Sequence, residues 1–151
     1  MGHRFVTNAV VGLALGFVAT ATHAATPAEA QALSERAAAY IQQVGEEKAF
    51  GDFTRPDGGF TQGELYVFCY DHNGVNKAHG ANPAFVGKDL LHLKDPDGKE
   101  VNVEIVKLGF GQGRGWVDFK WPNPTNKKIQ QKSAYVIRTN DVVCGVGYYK
   151  D

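Results

Sequence analysis

Lys132 stands directly before the apolar run Ser133-Ala134-Tyr135-Val136-Ile137, where the pattern places a strand entrance. A lysine in that position is ordinarily solvated, but beside tyrosines it can serve as the single cation that holds a carboxylate. The aromatic residues that could complete such a pocket lie close by in sequence: Trp116, Trp121 and Tyr135. Strand phase limits the set. Trp116 and Trp121 fall on opposite faces of one strand, and Lys132 shares a ligand with Tyr135 only if it still belongs to the preceding loop. A tryptophan in a strand more often packs a core than clamps a ligand.

Other chemistries find less support. His72, His79 and His92 match no metal-binding spacing, and two cysteines at 69 and 144 are too few and too far apart for a zinc site, so no metal is expected. His72 falls in a turn and His92 follows two leucines, whereas His79 ends a strand beside Gly80 and could face a pocket. The run Gly109-Phe110-Gly111-Gln112-Gly113-Arg114-Gly115 alternates its glycines, which fits neither nucleotide-binding fingerprint and reads as a hinge. Asp95-Pro96-Asp97-Gly98 lacks the remaining oxygen ligands of a calcium loop and reads as a turn. Ser133 has no glycine-flanked elbow, and Ser34 is the only other serine, so no nucleophilic triad is visible and no enzyme is expected. Sixteen basic residues balance sixteen acidic ones, which disfavours nucleic acid as a partner.

The elements that must position Lys132 follow from periodicity. Thr26-Pro27 reads as a helix cap and first turn, and Leu33, Ala37, Tyr40, Ile41 and Val44 recur at helical spacing up to Gly45. A shorter helical turn carrying Phe50 and Phe53 follows, then a break at Arg55-Pro56-Asp57-Gly58-Gly59. Residues 64–70 form a strand apolar on both faces, hence central, and Asn73-Gly74 turns it into a short polar edge strand over 75–79. A single helical turn is expected at Asp89-Leu90-Leu91. Residues 101–110 fit either a strand, through Val101, Val103 and Ile105, or a helix, through Val101, Ile105 and Leu108. Three strands close the chain over 115–124, 132–138 and 142–150. Val143, Gly145 and Gly147 share one face of the last strand and leave room for a close neighbour, either the long helix or a ligand. Grouped strands with segregated helices give an α+β domain.

The first residues belong to a different device. Met1-Gly2-His3-Arg4, an uncharged apolar run over 9–20 and small residues before Ala24 form the three-part pattern of a secretory signal peptide. Cleavage after Ala24 leaves an exported, periplasmic domain over 25–151, and the apolar run falls short of the ~20 residues of a membrane span. An uncleaved anchor is the weaker alternative. In an exported chain Cys69 and Cys144 can persist as a disulfide, or both can be buried core thiols.

With these stretches in order, residues 33–150 resemble the single Cache domains, periplasmic sensor modules related in shape to PAS domains, and most of all those of bacterial chemoreceptors. The resemblance is carried by Gly63-Glu64-Leu65-Tyr66-Val67-Phe68, Tyr70-Asp71-His72-Asn73-Gly74, Val86-Gly87-Lys88-Asp89-Leu90 and Asp95-Pro96-Asp97-Gly98-Lys99. Its most specific part is the closing stretch, with Gly115 to Pro124, Lys132-Ser133-Ala134-Tyr135-Val136 and Val143-Cys144-Gly145-Val146-Gly147-Tyr148 in register. It implies a long N-terminal helix packed on a five-stranded antiparallel sheet of order 2-1-5-4-3, with a helical insertion between strands 2 and 3 that makes 101–110 a helix. In that order the strands of Cys69 and Cys144 are neighbours, which makes their disulfide geometrically accessible. It further implies a pocket for a small organic acid lined by Tyr70, His79, Trp116, Lys132 and Tyr135. Lys132 would neutralise the carboxylate, the tyrosines would hydrogen-bond it, and Trp116 would wall its aliphatic part. No cofactor and no catalysis are implied. In receptors the module is followed by a membrane helix and a signalling region, whereas this sequence stops at Asp151, so a separate membrane sensor or transporter is the expected partner. A ligand-free accessory subunit of an exported signalling or redox complex is the alternative.

Overall fold

The structure, a computed structural model, describes residues 23–150 together with Gly2. The apolar run at 9–20, and with it the signal-peptide expectation, lies outside the described residues.

Helix α1 (Pro27–Val44) starts where the sequence places it. The Thr26 hydroxyl accepts from the Glu29 N–H while the Glu29 carboxylate accepts from the Thr26 N–H, a reciprocal capping box with Pro27 in the first turn. Ala30, Leu33, Ala37 and Ile41 are buried on one stripe, and each large aliphatic there contributes ~1.5–3 kcal/mol of burial. Gly45 ends the helix, and α2 (Glu46–Thr54) follows at once. Asp52 locks the two together, accepting from Tyr40 Oη at 2.7 Å, Lys48 Nζ at 2.8 Å and Arg55 at 2.6 Å.

The antiparallel sheet has six strands: β1 (Thr61–Gln62), β2 (Leu65–Asp71), β3 (Asn76–His79), β4 (Arg114–Pro122), β5 (Ile129–Thr139) and β6 (Val142–Tyr149). Its order is β1-β2-β6-β5-β4, with β3 also paired to β2. The five expected strands take the expected order, and the additional one, β1, is a two-residue ladder against Leu65 and Tyr66. The β2–β3 connection is the expected Asn-Gly turn, braced by the Asp71 carboxylate accepting from the Asn73 and Val75 N–H groups. Cys69 and Cys144 face each other across β2 and β6 and are joined by a disulfide, with Cα atoms 4.1 Å apart.

Three local expectations are corrected. The helical turn expected at Asp89-Leu90-Leu91 forms instead at Pro83–Phe85, where Asn82 caps the Ala84 N–H and proline occupies the first turn. Asp89 meanwhile bridges to Val75. The segment at 101–110 is helical as the resemblance implies, forming α3 (Val101–Gln112), and what is corrected is the hinge, since Gly109 and Gly111 belong to this helix. Gly109 is where α3 crosses the sheet: a Cβ there would come within 2.8 Å of the Val143 Cβ. Finally, β5 begins at Ile129, so Lys132 lies inside a strand and not at its entrance.

The sheet divides the core in two. Leu65, Val67, Cys69, Val142, Cys144 and Val146 pack on α1 and α2. Their alternate neighbours Tyr66, Phe68, Tyr70 and Val143, with Val117, Phe119, Ala134 and Val136, face α3.

Candidate functional site

A cavity lies between α3 and the sheet. Strand β2 contributes Tyr66, Phe68 and Tyr70, and β3 contributes His79. Helix α3 roofs it with Val101, Asn102 and Ile105, and Phe119, Trp121 and Lys132 close it from β4 and β5. The space among these side chains is small, about 10 Å³ open to the centre of a water-sized sphere, roughly enough for one water. Tyr66, His79 and Trp121 also wall an adjoining cleft of about 190 Å³ that runs out past Asn82 and Phe85 on one side and Pro124 and Lys127 on the other.

Lys132 is the feature that core packing does not explain. It is 1% exposed, and Nζ meets Tyr66 Oη at 2.8 Å and Tyr149 Oη at 3.4 Å. Tyr149 Oη in turn donates to the Pro122 carbonyl at 2.7 Å. The tip rests against aromatic faces, 4.0 Å from the centre of the Tyr66 ring and 4.8 Å from that of Tyr149. Burying an ammonium without a counter-ion costs several kcal/mol, whereas desolvated cation–π contacts return ~2 kcal/mol each. Burial wins, and it lowers the amine to about 7 against the weaker opposing pull of the Glu64 charge. Glu64 itself is engaged elsewhere, accepting from the Ala25 N–H at 3.1 Å and Asn123 Nδ2 at 3.0 Å.

The other polar groups of the cavity are neutral. His79 is 3% exposed, and its Nδ1 accepts from the Asn82 N–H at 2.9 Å, which puts the ring proton on Nε2. Burial, with the Lys132 charge adding to it, lowers this imidazole to about 3. Burial raises the Tyr70 hydroxyl to about 12 and also pushes the Tyr66 and Tyr149 hydroxyls up from their ordinary value. Asn102 donates Nδ2 to the Leu90 carbonyl at 2.8 Å, which fastens α3 to the preceding loop. The site therefore offers one titrating amine among neutral hydrogen-bonding groups.

Of the five residues the sequence singles out, Tyr70, His79 and Lys132 line this cavity. Trp116 and Tyr135 do not. Because Lys132 lies within β5, Tyr135 has the opposite phase and points to the α1 side, its ring 5.0 Å from that of Trp116. Trp116 pairs with Tyr135 in the β4–β5 register and is 39% exposed. The tryptophan on the cavity side is Trp121, and Phe119 sits directly opposite Lys132. Tyr66, Phe119 and Trp121 line the cavity, and Tyr149 contacts Lys132, without having been singled out by the sequence. Strand phase counted from Lys132, together with the Lys132↔Tyr149 pairing of β5 and β6, points to them. His72 and His92 are exposed, and His92 contacts Glu100 at 3.2 Å. Among the described residues no cluster of three or more His, Cys, Asp or Glu is placed to hold a metal ion.

Known proteins are similar to this chain in sequence and in fold. The sensor histidine kinase MctS of Rhizobium johnstonii is 33% identical over 88 residues, 57% of this chain and 19% of that protein. The methyl-accepting chemotaxis protein McpP of Pseudomonas putida is 35% identical over 75 residues, 48% of this chain and 14% of that protein. The matched region is thus less than a fifth of each relative's length. A methyl-accepting chemotaxis protein from Vibrio parahaemolyticus superposes with a TM-score of 0.72 at 25% identity, covering 82% of this chain and 88% of that one. A Cache chemosensory domain whose structure was solved for the basis of carboxylic acid recognition superposes with a TM-score of 0.63 at 29% identity, covering 80% and 81%. The profile of Single Cache domain 2 matches residues 18–151. With the fold and nearly the whole length of the chain accounted for in this way, it belongs to the single Cache domain 2 family, whose members are sensory ligand-binding modules and not enzymes.

Proposed function

We propose that this chain is an exported, periplasmic sensor module that binds a short organic acid in the cavity between α3 and the sheet. One observation carries the reading: a fully buried lysine amine at the cavity wall, with hydroxyl partners and, among the described residues, no carboxylate bonded to it. Such an amine is costly without an anion and well satisfied by one. Lys132 holds the carboxylate, with Tyr70 Oη and His79 Nε2–H as neutral donors. Trp121 and Phe119, in place of Trp116, wall the aliphatic part. The carboxylic acid recognised by a structural neighbour of the same fold supports the same ligand class.

The small free volume means that an acid of two to four carbons enters only as the roof shifts, and the cleft past Tyr66, His79 and Trp121 supplies the way in. No helix among the described residues is long and apolar enough to cross a membrane. In this proposal a membrane sensor or transporter partner carries the signal onward. The export signal at residues 1–24 remains part of this proposal.

Thermal shifts of the purified protein with two- to four-carbon acids test the reading. Stabilisation of the parent and none of Lys132→Met is the expected result. Equal shifts in both would remove Lys132 from the site. No shift with any acid would favour a ligand-free accessory subunit, the reading that the tightness of the cavity favours.

A further inference from the structure

Resting on the carboxylate reading above, we infer that the cavity takes up a proton from solution together with its ligand, so that what it binds amounts to the undissociated acid. The inference comes from counting donors, acceptors and charges around one atom.

Lys132 Nζ is enclosed on every side. From β2 it meets Tyr66, with Tyr70 further along the same wall. From β3 comes His79, from β6 Tyr149, and from α3 and β4 the uncharged Asn102, Ile105, Phe119 and Trp121. The acid whose charge reaches the amine is Glu64, and both of its oxygens accept from other groups. No salt bridge to Lys132 forms among the described residues.

The two partners of Nζ fit an amine better than an ammonium. Tyr149 has committed its proton to the Pro122 carbonyl, so its oxygen can only accept. The Tyr66 hydroxyl can donate or accept. A neutral amine gives one N–H to Tyr149, uses its lone pair or second N–H at Tyr66, and leaves one uncharged valence unmet. An ammonium gives one N–H to each, turns its third toward the aromatic faces, and leaves a full charge with no counter-charge. An incoming carboxylate supplies the counter-charge and a strong acceptor for that third N–H. The step is R–COO⁻ + Lys–NH₂ + H⁺ giving R–COO⁻···⁺H₃N–Lys, with no bond broken and the proton drawn from solvent. Nothing else in the cavity can give it: His79 is already neutral, and burial holds the tyrosine hydroxyls protonated. The lowered basicity of the amine, about 7, agrees with this independent count.

Affinity then follows a defined course with pH. It is flat below neutrality, where the empty protein's amine already carries its proton, and weakens by about tenfold per pH unit above it.

Calorimetry with propionate at pH 8, in phosphate and in Tris, decides the matter, because the two buffers release a proton at different enthalpic cost. We expect observed enthalpies that differ by nearly the full difference in buffer ionisation heat, and a difference that shrinks towards zero at pH 6. Propionate that binds with the same enthalpy in both buffers overturns the inference and leaves the carboxylate site standing. Failure of propionate and of every other two- to four-carbon acid to bind overturns the carboxylate reading, and this inference with it.

Discussion

Gly147 and Lys132 occupy the same column of space on the cavity face of the sheet: the lysine's methylene chain lies flat across the glycine. A Cβ on Gly147 would stand 3.0 Å from Lys132 Cγ and nearer still to Cε, with the Ser133 carbonyl at 3.1 Å blocking a sideways escape. Gly147→Ala should therefore push the amine out of its seat between Tyr66 and Tyr149. Overpacking of this kind costs ~1–3 kcal/mol. Chemical denaturation should show that loss, and titration with propionate should show affinity reduced at least tenfold. Unchanged affinity in a destabilised variant would mean that the amine's position does not matter to the ligand.

Lys132→Met keeps the length and removes the charge. In the parent, the unfolded lysine titrates near 10.4 and the folded one near 7, so between these values the unfolded chain holds more protons. Native stability therefore rises with pH from about 7 to about 10, and the burden is full at and below 7. The variant should lack that rise and be more stable than the parent at neutral pH by up to ~4 kcal/mol. Urea midpoints at pH 7 and pH 9.5 measure it, and a variant weaker than the parent at pH 7 would contradict the account.

The two tryptophans of β4 separate binding from packing. Trp121→Ala opens the wall shared by cavity and cleft and should abolish acid-induced thermal stabilisation. Trp116→Ala trims a partly exposed ring on the α1 side and should leave ligand affinity within about twofold. The reverse ranking would return Trp116 to the site.

His79 sets an acid limit. Its folded value of about 3 lies below the ~6.5 of the unfolded residue. The unfolded chain gains a proton first as pH falls through 6.5, and native stability declines by up to ~1.4 kcal/mol per pH unit until about 3. His79→Gln, which keeps an N–H donor, should flatten that decline. Denaturation at pH 7 and pH 4.5 gives the comparison, and parallel losses in both proteins would assign the acid sensitivity elsewhere.

The disulfide between Cys69 and Cys144 closes a span of 75 residues. By loop-closure entropy, opening a ring of that size costs ~4 kcal/mol. The Cys69→Ala, Cys144→Ala double variant should fold with a markedly lower midpoint. A midpoint within experimental scatter of the parent would show that β2 and β6 hold together without the bond.

The fold was legible because its local signals agree with one another. Thr26-Pro27-Ala28-Glu29 is a helix start by chemistry, Asn73-Gly74 a hairpin, and the alternation through Tyr66, Phe68 and Tyr70 a strand. The candidate cavity was legible only in half. Lys132 and Tyr70 border apolar runs and stand out there, whereas His79 ends a short polar strand and drew notice only by its place beside Gly80. Trp116 and Tyr135 drew notice because their types suit a binding site, and they lie off this cavity because the face each presents depends on where β5 begins. That start at Ile129 is set by pairing with Pro122 across the turn, a tertiary fact with little local signal. The turn expected at Asp89 failed for a similar reason: Asp89 is spent on a bridge to Val75, and Asn82-Pro83 offers the better cap.

One sheet, a single backbone thick, separates the amine from helix α1, and adjacent residues of the same strand serve opposite sides. This gives the sequence two nearly independent alphabets. Substitutions at 66, 68 and 70 on β2, or at 119 and 121 on β4, reshape the α3-side core and the cavity within it. The letters between them, 65, 67 and 69, keep the helix-bearing layer as it was. Changes confined to the cavity-side positions should therefore leave the α1-bearing layer intact while altering the α3-side packing and, on the proposed function, the ligand preference.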